Sequence, residues 1–394
     1  MIGSFREGRP RRSGGLPLLA VLLAAVALFA GAAQASVGDK SHEFRECVEV
    51  CKQENCGPGR EATPIRKKLS TLAYRRNQSS PPSHPRTNAQ NYTYLPPQTK
   101  AKTQADTRFP SLTALHRRLL LWDCPSECDY TCQHIITARR VARGDPVVQF
   151  HGKWPFYRLL GLQEPLSVLF SAGNLWAHLS GFSALRARVP AAYPLMPWYR
   201  GFALVGSASW VFSMVFHSRD LWATEQLDYL AAGASVLYAL YFATVRVFRL
   251  DRARGATLGG SLDVNTARRA WTAACVALYV AHVSYLELWS WDYTYNMAAN
   301  VAVGGVQNVL WTWFSYRRWR ATRQFWAVWP GVAVAWIMAA MSLELFDFPP
   351  LWGSLDAHSL WHLGTVFPTM LWYNFLIKDA QDDIANSEKL KFKA

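Results

Sequence analysis

Hydrophobic and polar positions divide this chain unevenly. Beyond about residue 162 the apolar residues gather in seven stretches, near 164–185, 198–218, 226–248, 268–286, 294–315, 325–345 and 357–377. Each has the roughly 17–25 residues that a bilayer-spanning helix requires. Several hold Ser, Asn, His and Gly inside, which suits helices that bury polar groups against one another. At the other end, Arg6, Arg9, Arg11 and Arg12 precede an apolar run from Leu16 to Ala30 and then Ala33-Gln-Ala35, the order of a cleaved secretory signal over residues 1–35. Residues 36–161 lie between, polar, basic and Pro-rich, and the part from about 57 to 116 has no apolar periodicity and is expected to be a disordered loop. The pattern predicts an all-α membrane protein. A seven-transmembrane helix bundle over 162–378 follows an N-terminal disulfide-rich lumenal domain, and residues 379–394 form a cytosolic tail.

A mean hydropathy of −0.03 would pass for that of a soluble protein, but it averages two unlike halves. The 18 Trp, 20 Phe and 16 Tyr are concentrated in the second of them. Loop charges then set the orientation, because Lys and Arg collect on the cytoplasmic side of short loops. Arg186, Arg188 and Arg200 follow the first stretch. Arg246, Arg249, Arg252, Arg254, Arg268 and Arg269 follow the third, and Arg317, Arg318, Arg320 and Arg323 follow the fifth. The alternate loops carry Glu225, Glu287, Asp292, Glu344, Asp347 and Asp356, with Arg219 as their only basic residue, and are expected to be lumenal. Net charge is +15, yet a lumenal basic domain has no nucleic acid to meet, so a solvated or lipid-headgroup-facing surface is the better reading.

Six of the seven cysteines form two triplets, Cys47, Cys51, Cys56 and Cys124, Cys128, Cys132. Behind a secretory signal they read as three disulfides with 15 possible connectivities, a zinc knuckle being the rival. Sequons at Asn77 and Asn91 point to the same compartment. The seventh, Cys275, reads as an inert core residue.

The chemistry concentrates near the C-terminus. His358 and His362, four apart, would stack on one helical face, a metal-chelating spacing. The charge-derived topology puts them at the lumenal end of the seventh stretch, level with Ser213 and His217 at the end of the second and Asp228 at the start of the third. Three histidines with one position open describe a catalytic zinc site. There Asp228 could orient a water or act as general base, and Ser213 could bond that water or a developing oxyanion. His178 and His282 read as helix-packing residues, Asp356 as a helix N-cap or a partner of His358 or His362, and Glu344 and Asp347 as interface residues.

Ser213-xxx-His217, Asp228 and His358-xxx-His362 together resemble the superfamily that joins alkaline ceramidases with adiponectin and progestin receptors. The closer resemblance is to the Per1-like family of post-GPI-attachment factors. It is carried by Gln149-Phe-His-Gly-Lys-Trp-Pro-Phe156, Val215-Phe-His-Ser-Arg-Asp220, His282-Val-Ser-Tyr-Leu286, Asp292-Tyr-Thr-Tyr-Asn296, Leu345-Phe-Asp-Phe-Pro-Pro350 and Asp356-Ala-His-Ser-Leu-Trp-His362, along with the cysteine triplets. The stretch between the triplets looks longer than that family's spacer, either as a lineage-specific loop or as a retained intron. The resemblance implies a GPI-specific phospholipase that removes the sn-2 acyl chain from the anchors of GPI-linked proteins. Zn2+ on His217, His358 and His362 would polarise the ester and activate water, assisted by Asp228 and Ser213. It also implies residence in the Golgi membrane or the endoplasmic reticulum, with the site lumenal. A zinc-containing seven-helix receptor and a non-enzymatic GPI-protein chaperone are the alternatives.

Overall fold

The computed structural model describes residues 37–56, 115–251, 257–258 and 262–391. The expected signal segment, most of the inter-triplet loop and both sequons, Asn77 and Asn91, lie outside these residues. Among them the chain is overwhelmingly helical, apart from a two-residue antiparallel pairing of Thr257–Leu258 with Leu262–Asp263.

The disulfide-bonded unit is built on two long helices, α1 (His42–Asn55) and α2 (Cys124–Arg143). Ser41 caps α1 by accepting from the Phe44 amide, and Asp123 caps α2 by accepting from the Ser126 amide. Gly144, at φ 80°, ends α2 in the left-handed conformation that glycine adopts without penalty. Cysteines at near-helical spacing line one face of each helix. The structure resolves the pairing as a nested ladder, Cys47–Cys132, Cys51–Cys128 and Cys56–Cys124, which runs the helices antiparallel. Phe44, Ile136 and Phe150 complete this small core.

Seven long helices follow, one at each expected stretch: α3 (Pro165–Arg188), α4 (Met196–Ser218), α5 (Trp222–Val247), α6 (Val264–Ser284), α7 (Tyr293–Thr322), α8 (Trp329–Phe346) and α9 (Ala357–Lys391). Four of these regions, Met196–Ser218, Trp222–Val247, Val264–Trp289 and Phe325–Glu344, are long and apolar enough to cross a membrane. The other three are long enough, since 24 residues of helix span roughly 36 Å, but they interleave polar side chains. Packing runs α9–α3–α4–α5–α7–α8 and back to α9, which closes a ring of six helices; α6 leans on α5 from outside. Isolated large apolar side chains such as Leu204, Val276 and Trp176 point outward, as a lipid-facing surface requires.

One half of the ring is filled by aromatic packing around Tyr199, Phe242, Trp311 and Tyr373. At that end α9 continues beyond the bundle, so residues expected as a tail prolong the helix. Its Asp379 accepts two bonds of 2.6 Å from the buried Arg246 guanidinium, Asp383 pairs with Arg249, and Asp382 pairs with Arg318. At the opposite end the segment after Gly144 straps the disulfide unit to the helices. Tyr157 donates its amide to Gly353 (2.8 Å), and the Gln163 and Glu164 amides donate to the carbonyls of Ser218 and His217 (both 3.0 Å). Asp347 accepts from Trp154 (2.7 Å) and Gln149 (2.8 Å), so this acid ties the strap to the bundle rim.

Candidate metal centre

His217 stands at the C-terminal end of α4, and His358 and His362 lie in the first turns of α9. Asp356 caps α9 by accepting from the Ser359 amide (2.9 Å), while Ser359 accepts from the Asp356 amide in return. This cap fixes where the helix starts and hence which face carries the two histidines. The three imidazoles meet inside the ring. Nε2 of His358 is 2.9 Å from Nε2 of His362 and 3.4 Å from Nε2 of His217, and one nitrogen of each lies within 4.8 Å of the others.

The opposite nitrogens explain this convergence. Nδ1 of His217 is 2.7 Å from Oε2 of Glu164, Nδ1 of His358 is 2.8 Å from Oε2 of Glu344, and Nδ1 of His362 is 2.9 Å from Oγ of Ser171. An ionised carboxylate can only accept, so His217 and His358 carry their protons on Nδ1 and present bare Nε2 lone pairs to the shared centre. Lone pairs aimed at one another are repulsive unless a proton or a metal cation lies between them, and one proton cannot join all three. The nitrogens of a tetrahedral zinc at about 2.05 Å lie about 3.3 Å apart, close to the spacing found. Partners of this kind fix tautomer and ring angle in metal-ligating histidines. The donor set therefore fits a divalent metal such as zinc.

Asp228, nearly two turns into α5, lies within electrostatic reach of His217 and His358 and makes no hydrogen bond or ion pair with the described residues. Ser213 lies one turn before His217 on α4. Its hydroxyl is 3.0 Å from Ser171 Oγ, so it backs the group that holds His362. His178 and His282 stay apart, the first 3.0 Å from the Tyr373 hydroxyl and the second 3.4 Å from that of Tyr295. Cys275 is buried and unpaired.

Sequence reasoning overlooked Glu164 and Ser171, and it gave Glu344 no more than an interface role. Glu164 lies 53 residues from His217, and no local spacing ties such a pair together. The available signal was an acid directly before Pro165 at the mouth of an apolar stretch. Glu164 occupies the N-cap position of α3 yet makes no capping bond, because its carboxylate is committed to His217 and to Lys153. Lys153, inside one of the quoted motifs, bridges Glu164 and Asp220 (3.1 Å) and lies 3.9 Å above the Phe216 ring. Burial alone would depress this ammonium, but the two carboxylates hold it above its ordinary value.

A disulfide-capped helical membrane protein with a buried three-histidine centre is the class that the fold and site define. The chain belongs to the Per1-like family, whose pattern matches residues 114–380. It is 42% identical over 284 residues to the "Protein PER1 homolog" of Schizosaccharomyces pombe, covering 71% of this chain and 82% of that one. It is 33% identical to the "GPI-specific phospholipase A2-like PGAP3" of Homo sapiens (96% and 99% covered) and to that of Danio rerio (93% and 98%). No solved structure matches.

Proposed function

We propose that this protein is a GPI-directed phospholipase of a secretory-pathway membrane, hydrolysing the sn-2 acyl ester of the anchor with zinc held by His217, His358 and His362. The carrying observation is the convergence of three Nε2 atoms whose Nδ1 partners are Glu164, Glu344 and Ser171. The names of the PGAP3 relatives supply the substrate class, and the resemblance of the serine–histidine–aspartate spacing to that of the ceramidases agrees with hydrolysis. All seven long helices are read as crossing the membrane, with the Arg-rich loops cytosolic and the histidines near the lumenal face.

Zinc at this position supplies Lewis acidity to an ester carbonyl. The remaining work falls to the chain's own groups. A carboxylate oxygen of Asp228, not committed elsewhere, accepts a proton from the attacking water and returns it to the departing glycerol oxygen. Ser171, with Ser213 behind it, keeps the His362 ring from rotating, and the Glu164–Lys153–Asp220 chain does the same for His217. The surrounding helices keep bulk water from the ester.

The test uses purified wild type, His362→Ala and Asp228→Asn, with zinc content and released fatty acid measured on the same samples. His362→Ala is expected to lose both zinc and turnover. Asp228→Asn is expected to keep zinc and to lose on the order of 10²–10⁴ in rate, the usual contribution of a general base. Normal acyl release by metal-free His362→Ala protein overturns the zinc mechanism, and folded wild type that releases no fatty acid overturns the hydrolase reading in favour of a receptor or chaperone role.

A further inference from the structure

The disulfide-bonded unit carries large apolar side chains that none of the described residues covers. Leu115 and Leu119 stand one turn apart on a short helix, Leu115–Leu119, and so share a face. Leu121 follows just past its end, and Leu159 and Leu160 lie in the strap. Leu115, Leu119 and Leu160 are each 71% exposed, and Leu121 and Leu159 are hardly less so. The two groups belong to one surface. A Cβ at Gly161 would lie 3.0 Å from the His116 ring and 3.2 Å from Leu120, and the Trp122 indole N–H donates to the Gly161 carbonyl (2.8 Å).

Two of these leucines also sit where leucine is a poor choice. Leu121, at φ 56°, follows the short helix in the left-handed conformation that usually goes to glycine. Leu160 and Gly161, at φ 53° and 84°, are the central pair of a tight turn closed by Leu159 and Leu162, where Asn-Gly is the favoured pair. A leucine that is strained at the backbone and exposed to water adds two costs and little packing, and such strain collects at functional sites. The base of the turn is meanwhile firmly held. Arg158 pairs with Glu127 (2.8 Å), and the Tyr157 amide donates to Gly353. Leucines presented together on held tips mark a surface that meets an apolar phase outside the protein.

That phase lies beside them. Leu119, Leu120 and Leu121 form one wall of a furrow of about 360 Å3, and Met214, Val215, Ser218, Leu221 and Thr224, at the adjoining ends of α4 and α5, line the other. Both helices are long and apolar enough to cross a membrane. Val211 and Val215 on α4 and Trp222 at the start of α5 are exposed, and Trp at a helix end is enriched at the membrane–water boundary. The leucine patch thus continues the outward apolar surface of α4 and α5 onto the disulfide-bonded unit.

We infer that this patch is a membrane-inserted surface: Leu115, Leu119, Leu121, Leu159 and Leu160 enter the leaflet beside α4 and α5, and an acyl chain of that leaflet fills the furrow. The inference needs α4 and α5 to span the bilayer and does not depend on the reaction proposed above. A unit seated in the leaflet keeps the strap, and with it Lys153 and Glu164, at a fixed height relative to the bilayer.

The test attaches an environment-sensitive fluorophore to Leu119→Cys or Leu160→Cys in a Cys275→Ala background, in full-length protein held in phosphatidylcholine nanodiscs. Both probes are expected to show blue-shifted emission, quenching by phospholipids that bear a nitroxide high on the acyl chain, and protection from aqueous iodide. That pattern corresponds to a depth of about 5–10 Å into the headgroup–acyl boundary. The same probe at Ala142→Cys, exposed at the far end of α2, should respond to iodide alone. Iodide quenching at Leu119 and Leu160 equal to that at Ala142 overturns the inference. Protection from both iodide and nitroxide lipid overturns it too, and assigns the patch to the chain segment before Leu115 or, in nanodiscs that hold two copies, to a second molecule. Each leucine is exposed and is replaced singly, so either folded variant decides.

Discussion

Replacing Glu164 with Gln isolates the group on which two separate parts of the site depend. The wild-type carboxylate has two oxygens and serves two main donors, with the Ser167 hydroxyl a longer third at 3.4 Å: Oε2 takes the His217 Nδ1 proton at 2.7 Å and Oε1 meets the Lys153 ammonium. An amide has one acceptor. Whichever donor it serves, its NH2 faces the other, and two donors are left in contact with the side chain 5% exposed. If the oxygen turns to His217, the metal ligand keeps its tautomer but loses a charged partner. Loss of such partners costs roughly 10–100-fold in metal affinity, or about 1.4–2.8 kcal/mol. Because the amide oxygen still accepts, the expected loss lies near the lower figure. Lys153 then depends on Asp220 at 3.1 Å and on solvent, with its side chain 21% exposed. Breaking a buried pair costs about 3–5 kcal/mol, and the remaining acid and partial exposure reduce this to about 2 kcal/mol. Chelator-competition titration with zinc reads the first effect and thermal melting of the zinc-free protein reads the second. Zinc affinity within twofold of wild type, with unchanged melting, would refute the argument that Glu164 couples the strap to the centre.

Other outcomes follow from contacts elsewhere in the molecule. Ser171→Ala removes the hydroxyl bonded to His362 Nδ1 and should weaken zinc binding about tenfold, by the same chelator titration, with Ser213→Ala milder because it acts through Ser171. Asp379→Asn leaves the buried Arg246 guanidinium without its charge partner and should cost about 3–5 kcal/mol of stability, read as a lower melting temperature in detergent. His134, stacked on Tyr157 in the disulfide-bonded unit, has its pKa lowered by burial to about 4. The unfolded chain therefore binds the extra proton first as pH falls. This contribution is fully present above pH about 6.5 and is lost between there and pH about 4, at up to about 1.4 kcal/mol per pH unit. His134→Gln should flatten that part of a melting-temperature profile, and an unchanged profile would contradict the burial argument.

Features with a local physical cause could be read from the sequence. The shared face of His358 and His362 on α9 follows from helical period alone, and loop arginines brought His217 and Asp228 to the same end without any contact information. The positions of all seven long helices followed from apolar run length. The rest depends on long-range packing. Nothing near Ser171 distinguishes it from other serines in an apolar helix until α3 is placed between α4 and α9. Nothing in the stretch over 268–286 says that its helix stands outside the ring, since lipid and a neighbouring helix select the same side chains. The cysteine spacings were compatible with several pairings, and only the antiparallel packing of α1 on α2 selects one.

That ladder carries a consequence for how the family can vary. The innermost bridge, Cys56–Cys124, closes a loop whose ends are 68 positions apart in sequence. Closure entropy grows only logarithmically with loop length, so doubling such an insert costs about 0.6 kcal/mol. The two helices that bear the bridges, and the strap that reaches Glu164, are anchored on the far side of that clamp. The segment between the cysteine triplets can therefore lengthen or shorten without moving a ligand nitrogen. Evolution has there a free port, where new sequence can be tried at little thermodynamic risk to the chemistry below.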